Sequence, residues 1–103
     1  SDFEVDTFYD PDEFLEQFSS IRYKAILVDI HMPKINGFGL YEKIIQHPQY
    51  SGCPIIFISS DDSDATRIKS FSLGAVDFLH RQMNPTELLS RVKSKILFFE
   101  KHR

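Results

Sequence analysis

The sequence predicts an α/β domain in which a parallel β-sheet carries helices on both faces. Short runs rich in apolar residues alternate with amphipathic stretches along the whole chain. The clearest runs, residues 25–28 and 55–58, are continuously apolar, which is typical of strands covered on both faces. Strand and helix signals that alternate in this way indicate a parallel sheet. With 103 residues, 42% apolar and 14% aromatic, the chain fits one domain with its own core, residues 1–103.

The first two elements are a weak strand and a well-marked helix. Residues 3–8 alternate between apolar and polar types and predict the strand. The helix is predicted to begin at Asp10, which suits the N-cap, with Pro11 in the first helical position and Glu13 placed for a capping box. Its apolar stripe consists of Phe14, Leu15 and Phe18.

Two further strand–helix pairs follow. Residues 25–28 predict a buried strand, and the helix after Gly37 is expected to end near His47, because Pro48 disfavours helix at the preceding position. Residues 54–58 predict another buried strand. The capping residues of segment 61–64 then introduce a helix over 62–73, closed by Gly74, with Ala65, Ile68 and Phe71 as its apolar residues.

The last pair is a short strand over residues 76–79 and a long helix that begins at Pro85. The apolar residues of this helix are Leu88, Leu89, Val92, Ile96 and Phe99. The complete pattern is therefore β-α-β-α-β-α-β-α, with no repeat and no interdomain linker.

Composition bears on the partners and the location of the protein. The formal charge of −3 disfavours direct binding to nucleic acid or to an anionic membrane. Cys53 is the only cysteine, so a reducing, cytoplasmic compartment is expected. No apolar run approaches the roughly 20 residues that span a bilayer. Residues 1–4 lack the basic and apolar regions of a signal peptide. The chain begins with Ser1 rather than Met, which predicts a fragment of a longer protein.

Three polar residues follow predicted strands at the edge where open parallel sheets place their chemistry. Asp29, Ser59 and Arg81 each stand directly after a strand. Taken singly, they have ordinary explanations as a turn residue, a helix cap and a solvated surface cation. Taken together, a carboxylate, a hydroxyl and a cation can accept, orient and neutralise a phosphoryl group.

Four segments carry a resemblance to a known family. Residues 29–33, Asp-Ile-His-Met-Pro, followed by Gly37, resemble the phosphorylation loop of response-regulator receiver domains. Residues 54–60 are similar to the family's fourth strand, residues 74–79 to the run into its fifth strand, and residues 85–89 to the start of its last helix. The resemblance implies a flavodoxin-like, doubly wound parallel sheet that lacks its first strand and first helix.

The resemblance also implies a function and a role for each site residue. Asp29 would accept phosphate from a sensor histidine kinase or a phosphotransfer protein, and Asp29 and the backbone carbonyl of His31 would bind Mg2+. Ser59 would bind the phosphoryl group, with Phe78 as the aromatic residue that moves inward. Phosphorylation would switch the surface formed by residues 62–73, 76–79 and the helix from Pro85, in a signalling domain rather than an enzyme. An output domain beyond residue 103 is expected.

The sequence departs from the family in two places. Arg81 replaces the usual Lys, and Gln82 replaces a Pro whose peptide bond is usually cis, so a trans bond is expected. The acidic pair that binds magnesium in the family belongs to its first strand, and Asp6 and Asp10 do not fit that position. Magnesium is therefore expected only with acids upstream of Ser1.

Other interpretations remain open. A pseudo-receiver, a phosphorylation-independent interaction module, is favoured by Arg81, Gln82 and the lacking acids and opposed by the intact loop 29–37. A phosphatase of the haloacid dehalogenase type would need a second Asp where His31 stands. Segment 61–64 could bind a cation, although helix capping explains its Asp residues.

The lacking strand leads to a final expectation. In the family it lies between the strands that correspond to residues 3–8 and 25–28, so its removal leaves backbone groups without partners. Upstream residues, direct pairing of the two flanking strands, or a second chain in a homodimer could fill this gap.

Overall fold

Strands and helices alternate along the chain in the predicted α/β order. The computed structural model describes residues 6, 8–31, 35–61 and 63–101. In this part of the chain the elements are α1 (Pro11–Phe18), β1 (Ile26–Asp29), α2 (Gly37–Gln46), β2 (Ile55–Ser59), α3 (Asp64–Ser72), β3 (Asp77–His80) and α4 (Pro85–Lys101). The predicted strand over residues 3–8 lies outside the described residues apart from Asp6 and Phe8.

The three strands form one parallel sheet in the order β1-β2-β3. Asp29 of β1 is opposite Ile58 of β2, and Ser59 of β2 is opposite His80 of β3. β3 lies one residue later than the predicted 76–79, so Arg81 is the first residue after it. The parallel register brings the carboxyl ends of all three strands to the same edge of the sheet.

Each face of the sheet has its own apolar core. Side chains alternate between faces along a strand, so Ile55 and Phe57 pack with the helices α1 and α2, whereas Ile56 packs with α4. The α4 side of this second core consists of Val92 and Ile96, with Leu88 partly buried beside them. Helices on both faces confirm the doubly wound arrangement that the continuously apolar strands predict.

The ends of the helices follow from local capping chemistry. Asp10 caps α1 through a 2.9 Å hydrogen bond from the Asp12 backbone N–H, as expected. Asn36 caps α2 in the same way, accepting from Gly39 at 2.9 Å. At the other end of α2, His47 is extended (φ −74°, ψ 138°), because the Pro48 ring disfavours helical backbone before it.

Gly74 closes α3 for two reasons. Its φ of +108° lies in a region that side chains rarely adopt. A Cβ atom at this position would also lie 2.8 Å from the Tyr41 hydroxyl, which donates a 2.8 Å hydrogen bond to the Leu73 carbonyl. Tyr41 of α2 therefore links α2 to the C-terminal end of α3 through this hydrogen bond.

The prediction that the apolar residues of α3 form its buried side is wrong. Ile68 is 65% exposed, Phe71 is 47% exposed, and Ala65 is also exposed. The inward side carries Ser70, which is fully buried and donates to the Thr66 carbonyl at 2.9 Å. The helix starts at Asp64 under the Ser63 cap rather than at residue 62, and residues 66, 70 and 73 are its less exposed positions.

Among the described residues, no helix combines the length and the apolar character needed to cross a bilayer.

Candidate functional site

The carboxyl edge of the sheet brings together residues that are far apart in the sequence. Arg81 follows β3 and its backbone N–H donates to the Ser59 carbonyl at 2.9 Å, which holds the end of β3 against the end of β2. The Ile30 N–H donates to the Ile58 carbonyl at 3.1 Å and holds the end of β1 on the other side of β2. Asp29, Ser59 and Arg81 therefore follow one another across the edge.

Both carboxylate oxygens of Asp29 have partners. Oδ1 accepts a 3.0 Å hydrogen bond from the backbone N–H of His31. Oδ2 forms an ion pair with the Arg81 guanidinium, 52 positions away in the sequence. The side chains remain partly accessible, with 31% of Asp29 and 49% of Arg81 exposed. The edge thus presents an oriented carboxylate next to a permanent cation, an arrangement suited to an incoming anion.

Gly37 allows α2 to approach this carboxylate. Its backbone N–H donates to the Ile30 carbonyl at 2.8 Å. A Cβ atom on Gly37 would lie 2.7 Å from the Asp29 carbonyl oxygen and 2.7 Å from Ile30 Cα. The first residue of α2 therefore fixes the backbone immediately after β1, where the carboxylate is carried.

Ser59 is fully buried at the end of β2. Its hydroxyl oxygen accepts a 2.9 Å hydrogen bond from the Asp61 backbone N–H. A serine hydroxyl can also donate one hydrogen bond while it accepts. The loop after β2 therefore orients Ser59 without using up its donor capacity in this contact.

Asp61 shapes the loop between Ser59 and α3. Its Oδ1 accepts from the Ser63 N–H at 2.9 Å, and its Oδ2 accepts from the Thr66 hydroxyl at 2.9 Å. The Ser63 backbone hydrogen bond, followed by that of Thr66, lowers the pKa of Asp61, with a smaller contribution from His31. The described part of segment 61–64 therefore caps α3, while Asp62 lies outside the described residues.

Phe78 lies in the core rather than at the surface. It is opposite Phe57 in the β2–β3 register and only 8% exposed. Its backbone N–H donates to Asp77 Oδ1 at 2.8 Å. The aromatic ring that the resemblance implies as a mobile element therefore already occupies an inward position in this structure.

The described residues do not by themselves make a magnesium site. Magnesium demands near-octahedral coordination by oxygen atoms, usually with one or two carboxylates. No group of three or more His, Cys, Asp or Glu side chains suitable for a metal occurs in the described part of the chain. Asp29 is the carboxylate at the end of β1, and the Arg81 guanidinium already pairs with its Oδ2.

The sequence did not reveal some of the residues that organise this edge. Asn36 caps α2, a role that the Asn-x-x-Gly spacing alone does not predict, although Asn before a helical period is a general capping signal. The sequence indicates helix capping for Asp61 only as one member of an acidic group, and the contact of its backbone N–H with Ser59 depends on the conformation of the loop. The peptide bond between Arg81 and Gln82 is trans, as expected.

Comparisons with known proteins agree with the resemblance. A sequence profile described as the response regulator receiver domain matches residues 1–93. The chain is 32% identical over 83 residues to the sensory transduction protein BceR of Halalkalibacterium halodurans, covering 81% of this chain and 35% of that protein. It is 29% identical over 93 residues to the response regulator protein GraR of Staphylococcus saprophyticus, covering 90% of this chain and 40% of that protein. The chain thus spans less than half the length of these relatives.

Solved structures show the same fold. The chemotaxis protein CheY4 of Vibrio cholerae superimposes with a TM-score of 0.82 at 27% identity, covering 90% of this chain and 78% of that chain. The beryllofluoride-activated receiver domain of RstA from Klebsiella pneumoniae gives a TM-score of 0.75 at 28% identity, covering 86% and 74%. These likenesses confirm the flavodoxin-like fold predicted from the sequence.

Proposed function

The chain belongs to the response regulator receiver domain family, and from that membership we propose that it accepts a phosphoryl group on Asp29. The observation that carries the proposal is the convergence of Asp29 with Arg81 at the carboxyl edge of the sheet, beside Ser59. The donor is a sensor histidine kinase or a phosphotransfer protein, the usual partners in two-component signalling. The chain acts as a signalling domain, and residues 1–103 form a single domain.

The surroundings of Asp29 suit an aspartyl phosphate. By analogy with other phosphoryl groups, the modified side chain carries about −1.5 to −2 charges and needs cationic and hydroxyl partners. Arg81 supplies a cationic guanidinium with several N–H donors, and Ser59 supplies a hydroxyl that can donate while it accepts from Asp61. In the transfer, an Asp29 oxygen forms a bond to phosphorus as the bond between phosphorus and the donor's leaving atom breaks.

The proposed output is a change in the surface formed by α3, β3 and α4. Ser59 lies between the reacting carboxylate and α3, since its hydroxyl binds the Asp61 loop that caps this helix. Recruitment of the Ser59 hydroxyl to a phosphoryl oxygen would compete with that loop contact. The effect reaches β3 through Phe78, which is opposite Phe57 in the sheet, and biases a two-state surface.

Magnesium belongs to the proposal only with additional ligands. Asp29 and the His31 backbone carbonyl are the two ligands that the family motif assigns in this chain, and acidic residues outside the described ranges would have to complete the site. A cytoplasmic location and an output domain in the same polypeptide are likewise proposed, on the single buried Cys53 and on the greater length of the relatives.

Phosphorylation by acetyl phosphate with magnesium, in the full-length protein with any acidic residues upstream of Ser1, tests the proposal directly. Intact-mass spectrometry is expected to show one added phosphate, which Asp29→Asn abolishes because the amide cannot act as the acceptor. Asp64→Asn is the matched control, since Asp64 is an exposed carboxylate paired with Arg67 on α3 and its loss should leave labelling unchanged. Equal labelling of the Asp29→Asn variant and the unsubstituted protein would refute Asp29 as the site. Absence of labelling in both, with a folded protein, would favour the pseudo-receiver.

A further inference from the structure

The sequence contains two asparagines, and each of them caps a helix. The side-chain oxygen of Asn36 accepts a backbone N–H of α2 at 2.9 Å, and that of Asn84 accepts a backbone N–H of α4 at 2.8 Å. The two differ in the residue that follows, which is Gly37 in the first case and Pro85 in the second. The caps are therefore alike in their hydrogen bonds but not in the chemistry open to them.

An asparagine side chain can react with the backbone of the next residue, which is one reason why it is thermolabile. The next backbone nitrogen loses its proton and attacks the side-chain carbonyl carbon, so that a C–N bond closes a cyclic succinimide and ammonia leaves. Water then opens the ring to aspartate or to isoaspartate, whose main chain runs through the side-chain carbon. Glycine hinders the attack least, and proline has no N–H to lose. The reaction is thus open to Asn36 and closed to Asn84.

The folded structure opposes this reaction at Asn36. The attacking nitrogen belongs to Gly37, and its N–H is held by the Ile30 carbonyl at 2.8 Å. The ψ of Asn36 is 165°, an extended conformation that keeps this nitrogen away from the side-chain carbon. Ring closure therefore requires rotation of the Asn36 backbone, which breaks the hydrogen bond between Gly37 and Ile30. Asn36 itself is exposed, so water has access to it.

We propose that Asn36 is a deamidation site, and that the contact between the start of α2 and the end of β1 keeps it closed until that contact opens. The inference goes beyond the proposed function and does not depend on it. Aspartate at this position retains an oxygen acceptor and remains a good N-cap. Isoaspartate adds a carbon to the main chain, so the cap and the bond from Gly37 to Ile30 no longer fit together. This product detaches the first turn of α2 from the strand end that carries Asp29.

Peptide mapping of the aged full-length protein tests the site and its closure. The protein is incubated at mildly alkaline pH, either folded or in denaturing urea, and the tryptic peptides 35–43 and 82–91 are resolved by liquid chromatography and mass spectrometry. Asn36 is expected to convert at least about tenfold more slowly in the folded protein, because opening must release an N-cap as well as the Gly37 hydrogen bond. Asn84 is the internal control and should stay intact in both conditions.

Two further measurements connect the reaction to the contact and to its consequence. As urea is added below the unfolding transition, the conversion rate of Asn36 should rise in parallel with the hydrogen-exchange rate of the Gly37 amide. Asn36→Asp, which reproduces the aspartate product, should melt like the unsubstituted protein. The isoaspartate fraction, separated by chromatography and identified by labelling with an isoaspartate methyltransferase, should melt at a lower temperature.

Equal conversion of Asn36 in the folded protein and in urea would overturn the closure, as would a rate that does not follow exchange at Gly37. Conversion of Asn84 as fast as that of Asn36 in urea, or no conversion of Asn36 there, would overturn the site. An isoaspartate form as stable as Asn36→Asp would overturn the effect on α2. Failure of the proposed function is separate, because it is measured as phosphate added to Asp29 and no phosphodonor takes part here.

Discussion

Gly37 determines whether the backbone that carries Asp29 can lie against the first turn of α2. A Cβ atom there would be 2.7 Å from both the Asp29 carbonyl oxygen and Ile30 Cα, closer than side chains are found in folded proteins. Both obstructing atoms belong to the backbone and cannot rotate away. Any residue other than glycine must push α2 from the end of β1 or shift the loop that positions the carboxylate.

Gly37→Ala is expected to destabilise the protein by about 1–3 kcal/mol, the usual range for forcing extra atoms into a packed site. Gly39→Ala is the matched control in the same helix, because there the added Cβ would meet the Ile35 side chain at 2.9 Å, which can move. Alanine gains about 0.8–1.0 kcal/mol over glycine in a helix, so this variant should change stability little. Urea unfolding measures both, and equal losses for the two variants would contradict the argument.

Single residues also show where prediction from sequence ends. Asp29 and Ser59 each follow an apolar run, so their position at the carboxyl edge follows from recognising two strands. The ion pair between Asp29 and Arg81, in contrast, cannot be predicted from the sequence. It depends on the conformation of a long side chain that passes the end of β2, and no periodicity or spacing in the sequence reports that conformation.

Among the elements, α3 is held least firmly. Its only buried residue is Ser70, whereas α2 buries Gly37, Leu40, Tyr41 and Ile44. The hydrogen bond from Tyr41 to the Leu73 carbonyl and the Lys69 ammonium 4.7 Å from the Phe38 ring centre attach it to α2. With so little apolar burial, α3 is expected to open locally at low free-energy cost.

Hydrogen exchange should therefore separate α3 from the sheet. Amides of α3 are expected to exchange faster than those of β2. Beryllofluoride, a phosphoryl mimic, should change protection over residues 59–80 through Ser59, and α1 should serve as an unaffected reference within the same molecule. Asp29→Asn should abolish the change. A mimic that binds Asp29 without altering residues 59–80 would support the pseudo-receiver instead.

The same helix explains an error of prediction at this scale. Ala65, Ile68 and Phe71 recur at helical spacing, so the sequence indicates a buried stripe. The stripe is exposed, and Ser70 is the residue of α3 that faces inward. The other helices matched expectation better. The aromatic residues Phe14 and Phe18 of α1 are both buried, and Val92 and Ile96 of α4 cover the opposite face of the sheet.

At the scale of the whole molecule, the two faces of the sheet are unequally covered. Leu27 and Ile56 are neighbours in the β1–β2 register and point to the same face, yet Leu27 is 41% exposed and Ile56 is fully buried. The α4 residues Leu97 and Phe98 are 59% and 54% exposed. The Lys24–Glu100 ion pair at 3.7 Å brings the C-terminal end of α4 near the start of β1.

The α/β class was predictable from alternation, but this uneven cover depends on strand order, which the residues alone did not establish.

An isolated polypeptide of residues 1–103 is therefore expected to associate with itself. Within the described residues, β1 pairs with β2 along one side only, and an open strand edge beside exposed apolar side chains is a template for pairing with another chain. Sedimentation velocity should show a mean mass that rises with concentration in the micromolar range. Leu27→Lys should shift the distribution to monomer, because a charge on the strand opposes edge pairing.

Ile45→Lys provides the matched control, since Ile45 is 38% exposed but lies on α2, whose core covers the other face of the sheet. Its sedimentation should equal that of the unsubstituted polypeptide. A cooperatively melting monomer at every concentration, unaffected by Leu27→Lys, would mean that the edge of β1 is satisfied within one chain. If Ile45→Lys abolished association and Leu27→Lys left it intact, the contact would instead lie on the α2 side. We do not expect this result, because Phe38 and Tyr41 of α2 already pack on Phe57 and cover that face of the sheet.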